Sequence, residues 1–275
     1  MTLKDIQFIF NRALSLSFCK KKWLLTFCVL ALCGILVVFF RGLALKANQW
    51  VVMSLTFLPI FLSAGIMLSL GIFLARIYHH EIKRKEVNYR DILNKSWEVV
   101  IGATYFCVPI ILSYLLLWIV MGIFMLLNDI PGLGDFFGVV LSFAPFLLNF
   151  GSLILCLFSL SLLFFMTPLL ALRGLNRLEI SQILIKRVKE DIFSNLLLAL
   201  VALFPLMSIV GLLVLSAVLT GSLCDYCDTP TYTILQWFFI MIPFTAILAP
   251  AIIFFFNFST EAHVLLQKEL KGEAA

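Results

Sequence analysis

Six stretches of this chain contain no Asp, Glu, Lys, Arg or His: Trp23 to Phe40, Val51 to Ala75, Val99 to Leu127, Gly138 to Leu172, Leu196 to Thr220 and Ile234 to Phe258. About 20 apolar residues in helical form cross the hydrocarbon core of a bilayer, and each run meets or approaches that length. A backbone inside lipid has no water to bond, so it must close its own hydrogen bonds as helix or as a barrel; runs this long favour helix. Composition agrees, because only 13% of residues are charged against about 25% in a soluble domain. The sequence therefore predicts an all-α, polytopic membrane helix bundle. Its six transmembrane helices form three hairpins within a single integral membrane domain over 1–275.

Orientation follows from the 20 Lys and Arg residues. Five precede Trp23, six lie in Arg76 to Glu98, five in Arg173 to Asn195 and two in the tail 259–275, leaving only Arg41 and Lys46 in the remaining loops. Positive residues stay in the cytoplasm, which predicts cytoplasmic termini and puts 128–137 and 221–233 on the opposite face. The fourth stretch is too long for one upright helix and too short for two. Splitting it would export the basic residues after Leu172, so one long, kinked helix is expected, with a re-entrant piece near Pro145, Asn149 and Gly151 as the alternative. The basic n-region of 22 residues is long for a secretory signal, and no clear cleavage site follows Arg41, so the first span reads as uncleaved.

Residues 3–18 carry Leu3, Ile6, Ile9, Phe10, Ala13 and Leu14 on one helical face, opposite Lys4, Asp5, Asn11, Arg12 and Ser15. This pattern predicts an amphipathic helix on the inner leaflet, followed by Lys20, Lys21, Lys22 and Trp23 as anchors at lipid headgroup depth. Tyr89, Leu93 and Trp97 repeat the pattern before the third span, and Ile180, Leu184, Val188 and Ile192 before the fifth. The chain reads as three units, each an amphipathic helix followed by a hairpin.

On Arg12-Ala-Leu, Lys20-Lys-Lys-Trp-Leu-Leu and the stretch from Phe165-Met-Thr-Pro through Ala171-Leu-Arg-Gly-Leu to Asn195, the chain resembles a group of uncharacterised six-helix bacterial inner-membrane proteins. Some of these are related to the membrane domain attached to certain glycerophosphodiester phosphodiesterases. The resemblance implies a fold and a bacterial inner (cytoplasmic) membrane, and it transfers no catalytic residue. No segment outside the spans exceeds about 23 residues, so this chain holds no counterpart of the soluble phosphodiesterase domain.

The sharpest local motif is Cys224-Asp-Tyr-Cys227, a candidate redox or disulfide pair, or with Asp225 and Asp228 a metal site, although a 13-residue loop supplies no thioredoxin-like helix and a structural or incidental pair is the simpler reading. Cys19, Cys28, Cys33, Cys107 and Cys156 read as small packing residues. His79, His80 and Glu81 are adjacent, so their side chains diverge on a helix and do not converge on one metal. His263 sits in the tail with Glu261, Glu269 and Glu273, where a solvated face is expected. Pro131-Gly-Leu-Gly lacks the Lys and Ser or Thr of a phosphate loop and reads as a turn. Asn149 and Asn257 are the candidate intramembrane polar contacts, either for helix packing or for a substrate.

Ion-coupled transporters and proton relays carry ionisable groups at depth, and the six stretches have none. Nor does any nucleophile and base, carboxylate pair or metal cluster emerge, so no enzyme activity, cofactor or metal is expected. The basic residues form separate juxtamembrane clusters, which suit the lipid bilayer and its anionic headgroups and do not suit nucleic acid. Two readings stay open: a membrane-organising or envelope-complex accessory protein, working with an envelope partner or as a homo-oligomer, and a permease for a lipidic or weakly polar substrate.

Overall fold

The computed structural model describes residues 3–45, 47, 49–84, 88–128, 130, 134–173, 192–220 and 230–272. Among them the chain is helical with no strand. The helices are α1 (Leu3–Ser15), α2 (Lys20–Ala44), α3 (Gln49–Ile82), α4 (Tyr89–Thr104), α5 (Val108–Asn128), α6 (Gly134–Arg173), α7 (Ile192–Leu219) and α8 (Pro230–Gly272), with 3-10 turns at Leu16–Phe18 and Tyr105–Cys107. Six stretches are long and apolar enough to cross a membrane: Lys20–Ala44, Val51–Ile82, Tyr89–Phe124, Leu141–Leu172, Phe193–Leu219 and Thr231–Leu265. The protein is a multi-pass membrane protein of the all-α class. The end of the bundle that carries α1 and Lys20 to Lys22 is its basic end, and the opposite end its far end.

Helices α2, α3, α6 and α8 pack on one another as the centre of the bundle. Helix α5 lies against α6 and α3, and α7 against α8, so those two are peripheral. Their lipid-like exteriors are explicit: Leu112, Leu116 and Ile119 of α5 and Phe204, Leu212 and Leu215 of α7 are exposed. In lipid such a surface is already solvated, so helix association relies on close fit and interhelical polar contacts.

Prolines shape these helices in a traceable way. Each lacks the N–H that would return to the carbonyl four residues earlier. Pro109 withdraws that bond from Tyr105, and the chain tightens there into the 3-10 turn Tyr105–Cys107, with the Val108 N–H turning to the Tyr105 carbonyl. The expected third span, 99–127, is therefore interrupted: its first residues belong to α4. Pro168 frees the Phe164 carbonyl, which accepts the Ser259 hydroxyl of α8. Pro250 frees the Ala246 carbonyl, which accepts the Trp23 indole N–H at 3.2 Å. Two breaks in helical bonding thus become two bonds between helices. The long fourth stretch is one helix, the 40-residue α6, about 60 Å at helical rise and containing both Pro145 and Pro168.

Two expectations change at the basic end. The residues from 259, expected to be a solvated tail, continue α8 without a break, and every residue from 251 to 263 is buried. More than three turns buried on all sides mean that helices surround α8 here. A second change concerns α1. Ile9 and Ala13 are 2% and 0% exposed, and the Phe10 ring meets Phe254 of α8 edge-on at 4.9 Å between centroids. The apolar face read from the sequence exists, but it covers α8 where the inner leaflet was expected. The amphipathic stretch expected before the fifth span lies, up to Asp191, outside the described residues.

Candidate functional site

The buried segment of α8 carries polar groups that the surrounding helices answer one by one. Glu261 accepts the Tyr78 hydroxyl of α3 at 2.9 Å and pairs with Arg12 Nε of α1 at 3.3 Å. Lys22 of α2 is fully buried; its ammonium pairs with Glu81 of α3 and donates to the Leu16 carbonyl at 3.3 Å. The same ammonium lies 5.5 Å from the Tyr78 ring centroid. Tyr78 therefore joins both ion pairs, its hydroxyl on one and its ring on the other. Arg12 and Lys22 balance Glu81 and Glu261, so the cluster is formally neutral and calls for no counter-ion. Charges removed from water need this pairing, because an unpaired one would cost several kcal/mol.

Asn257 is wholly buried one turn before Glu261, and its Nδ2 reaches Ser17 Oγ at 3.5 Å. Ser17 in turn donates to the Ala13 carbonyl at 2.6 Å. The Asn257 carbonyl oxygen finds no donor, and neither does the Thr26 hydroxyl. His263, two residues beyond Glu261 and 2% exposed, is also enclosed by the bundle.

A cavity of about 360 Å³ adjoins this layer between α3, α4 and the end of α6. Arg76 forms its wall: Nε donates to the Ala171 carbonyl at 3.0 Å, and Nη1 to the Lys95 carbonyl at 3.1 Å and Ser96 Oγ at 2.7 Å. One guanidinium thus satisfies a carbonyl at the open C-terminus of α6 and clamps three helices. His79, His80, Asp91 and Lys95 also line it. His79 and His80 go to this cavity while Glu81 turns to Lys22, so the consecutive triplet is divided. Among the described residues, no three His, Cys, Asp or Glu side chains are grouped to hold a metal ion.

The residues singled out in the sequence fare unequally. Lys20 and Lys21 are exposed, with Lys21 Nζ 5.5 Å from the Tyr89 ring centroid. Lys22 and Trp23 differ from them. The first is enclosed by protein, and the second, 37% exposed, stacks on Phe27 and gives its N–H to α8. Asn149 is half-buried on α6, whereas Asn257 lies beside Ser259, which bonds to Phe164. The 15 residues of helix from Asn149 to Phe164 put the two amides about 20 Å apart in depth. They do not meet. Cys224 and Cys227 lie outside the described residues.

Sequence reasoning missed Arg12, Tyr78, Glu81 and Glu261 as a set, and the burial of His263. One signal was available: Tyr78 and Glu81, and likewise Asn257 and Glu261, stand three or four positions apart, so each pair shares one face of a helix leaving the membrane. No protein-family model, curated protein or solved structure matches the chain.

Proposed function

We propose that the protein is a non-enzymatic organiser of the bacterial inner membrane or an accessory of an envelope complex, with its basic end in the cytoplasm. The observation that carries this reading is the unbroken burial of α8 from 251 to 263, capped by a neutral polar layer. A conduit would open along the axis of the central helices, and there the bundle is filled by Phe254, Phe256 and Phe258, each at most 2% exposed. Lys20 and Lys21 are free of the interior and suit anionic headgroups. The resemblance to six-helix inner-membrane proteins supports the same reading, and a protein partner or a second copy belongs to it.

The alternative, a permease for a lipidic substrate, draws on one feature: α3 borders a cavity at each end. Reconstitution separates the two. In proteoliposomes, transbilayer movement of fluorescent phospholipids and leakage of small weakly polar solutes should match protein-free vesicles. Movement that scales with the number of protein copies per vesicle would replace the organiser with the permease.

A further inference from the structure

The cavity of about 360 Å³ at the basic end is built from one face of each of two helices. Arg76 and His80 stand one turn apart on α3, and Asp91, Ile92, Lys95 and Ser96 recur at three- and four-residue intervals on α4, so each set lies on one side of its helix. Ile92 and Ser96 are buried while Asp91 and Lys95 are exposed, so the cavity runs from the interior to the surface. The sequence fixes its depth. Arg76 is the first charge after the uncharged run Val51 to Ala75, and Ala171 and Leu172, which complete the wall, end the run that starts at Gly138. Two spans leave the hydrocarbon at this level, where lipid phosphates lie.

Unlike the neutral layer beside it, the cavity has an excess of positive charge. Arg76 and Lys95 face one carboxylate, Asp91; the remaining titratable groups of the wall are the imidazoles of His79 and His80, and α6 brings no charge to it. Asp91 is engaged locally. Its carboxylate accepts the Asn88 amide at 2.9 Å in the first turn of α4, where the helix dipole favours a negative charge. Arg76 spends Nε and Nη1 on neutral oxygens, which covers the Ala171 carbonyl at the end of α6 but leaves Nη2 out of those bonds and the positive charge unbalanced. The Lys95 ammonium has no ion pair among the described residues. His80 Nδ1 lies 2.9 Å from the Arg76 carbonyl, which can only accept, so Nδ1 donates and Nε2 of the neutral ring is an acceptor. Two cations and an acceptor ask for an anion with several oxygens, one of them carrying a proton. We propose that this cavity binds one phosphate group, carried on an anionic lipid headgroup or free in solution, held by Arg76 and Lys95 with a hydroxyl on or beside the phosphorus donating to His80. The site goes beyond the organiser reading and does not depend on it, because an organiser and a permease could both carry it.

The test uses the full-length protein, delipidated in detergent and titrated with dioleoyl phosphatidic acid, dioleoyl phosphatidylcholine or oleate, with bound lipid counted by native mass spectrometry and inorganic phosphate added as competitor. One phosphatidic acid per chain should bind about tenfold more tightly than phosphatidylcholine or oleate. Lys95→Gln changes an exposed side chain outside the ion-pair layer, and should weaken phosphatidic acid binding about tenfold while thermal stability holds. Lys20→Gln combined with Lys21→Gln, which lowers the surface charge of the same end, should leave that affinity unchanged. Arg76→Lys keeps the charge but loses the planar fork and should also weaken binding; because Arg76 clamps three helices, Lys95→Gln decides the matter if that variant does not fold. Phosphatidic acid that resists excess inorganic phosphate identifies the lipid headgroup as the source, and its displacement identifies a soluble phosphate; either result supports the phosphate site. Equal binding of phosphatidic acid and phosphatidylcholine overturns the proposal, as does oleate binding as tightly as phosphatidic acid. An unchanged affinity in Lys95→Gln, or an equal loss in the Lys20 and Lys21 double variant, overturns it too.

Discussion

Lys22 shows how far a residue's meaning depends on its surroundings. In sequence it is the third of three consecutive lysines before a span, the place where basic side chains usually face lipid phosphates. In the fold the helical turn of 100° per residue points Lys20 and Lys21 outward and Lys22 inward onto Glu81, Tyr78 and the Leu16 carbonyl. Nothing local distinguishes the three; only the arrival of α3 does. Removing one partner of a buried pair strands the other charge, so Lys22→Met and Glu81→Leu should each destabilise the protein by about 3 kcal/mol. The double substitution should recover most of that loss, because it leaves no unpaired charge. Thermal unfolding of the detergent-solubilised protein, followed by fluorescence-detected chromatography, reads all three variants. Additive losses would mean that the two side chains do not act as a pair.

At the scale of helices, the six spans, the single passage of α6 and the apolar face of α1 were all legible, since length, charge and periodicity are local properties. What α1 covers was not legible. A face of Ile6, Ile9, Phe10 and Ala13 suits a lipid surface and the side of α8 equally well, and Phe8 and Phe18 remain exposed on α1 and the turn after it. Glycines at crossings give a sharper test of helix packing. A Cβ at Gly71 of α3 would overlap the ring of Phe256, which is wholly buried and has nowhere to move. One at Gly34 of α2 would meet Met241, whose unbranched chain can swing aside. One at Gly211 of α7 meets nothing within 4 Å. Gly71→Ala should therefore cost about 1–3 kcal/mol as overpacking, and Gly34→Ala less. Gly211→Ala should be neutral or stabilising by up to about 1 kcal/mol through helix propensity. Thermal unfolding should rank the three in that order, and a Gly71→Ala protein as stable as the Gly211→Ala protein would contradict the α3–α8 contact.

Across the whole molecule, α8 is the axis on which the basic end is assembled, touching α1, α2, α3, α6 and α7. Its C-terminal extension was opaque to sequence reading for a physical reason. Glu261 and His263 raise the polarity of the stretch after Phe258 and make it look solvated, and the groups that satisfy Glu261 are far away, Tyr78 being 183 residues distant in the chain. A polar residue announces its need for a partner but not the partner's address. The central claim, that residues 259–263 are core and not tail, is tested most directly by truncating the chain after Phe258 and measuring the monodisperse, membrane-extracted fraction. The truncation removes Ser259, Thr260, Glu261 and His263 together and strands Arg12 and Tyr78. The account predicts loss of the folded protein, with the Glu261→Ala full-length variant intermediate. A truncated protein as abundant, monodisperse and thermally stable as the full chain would contradict it.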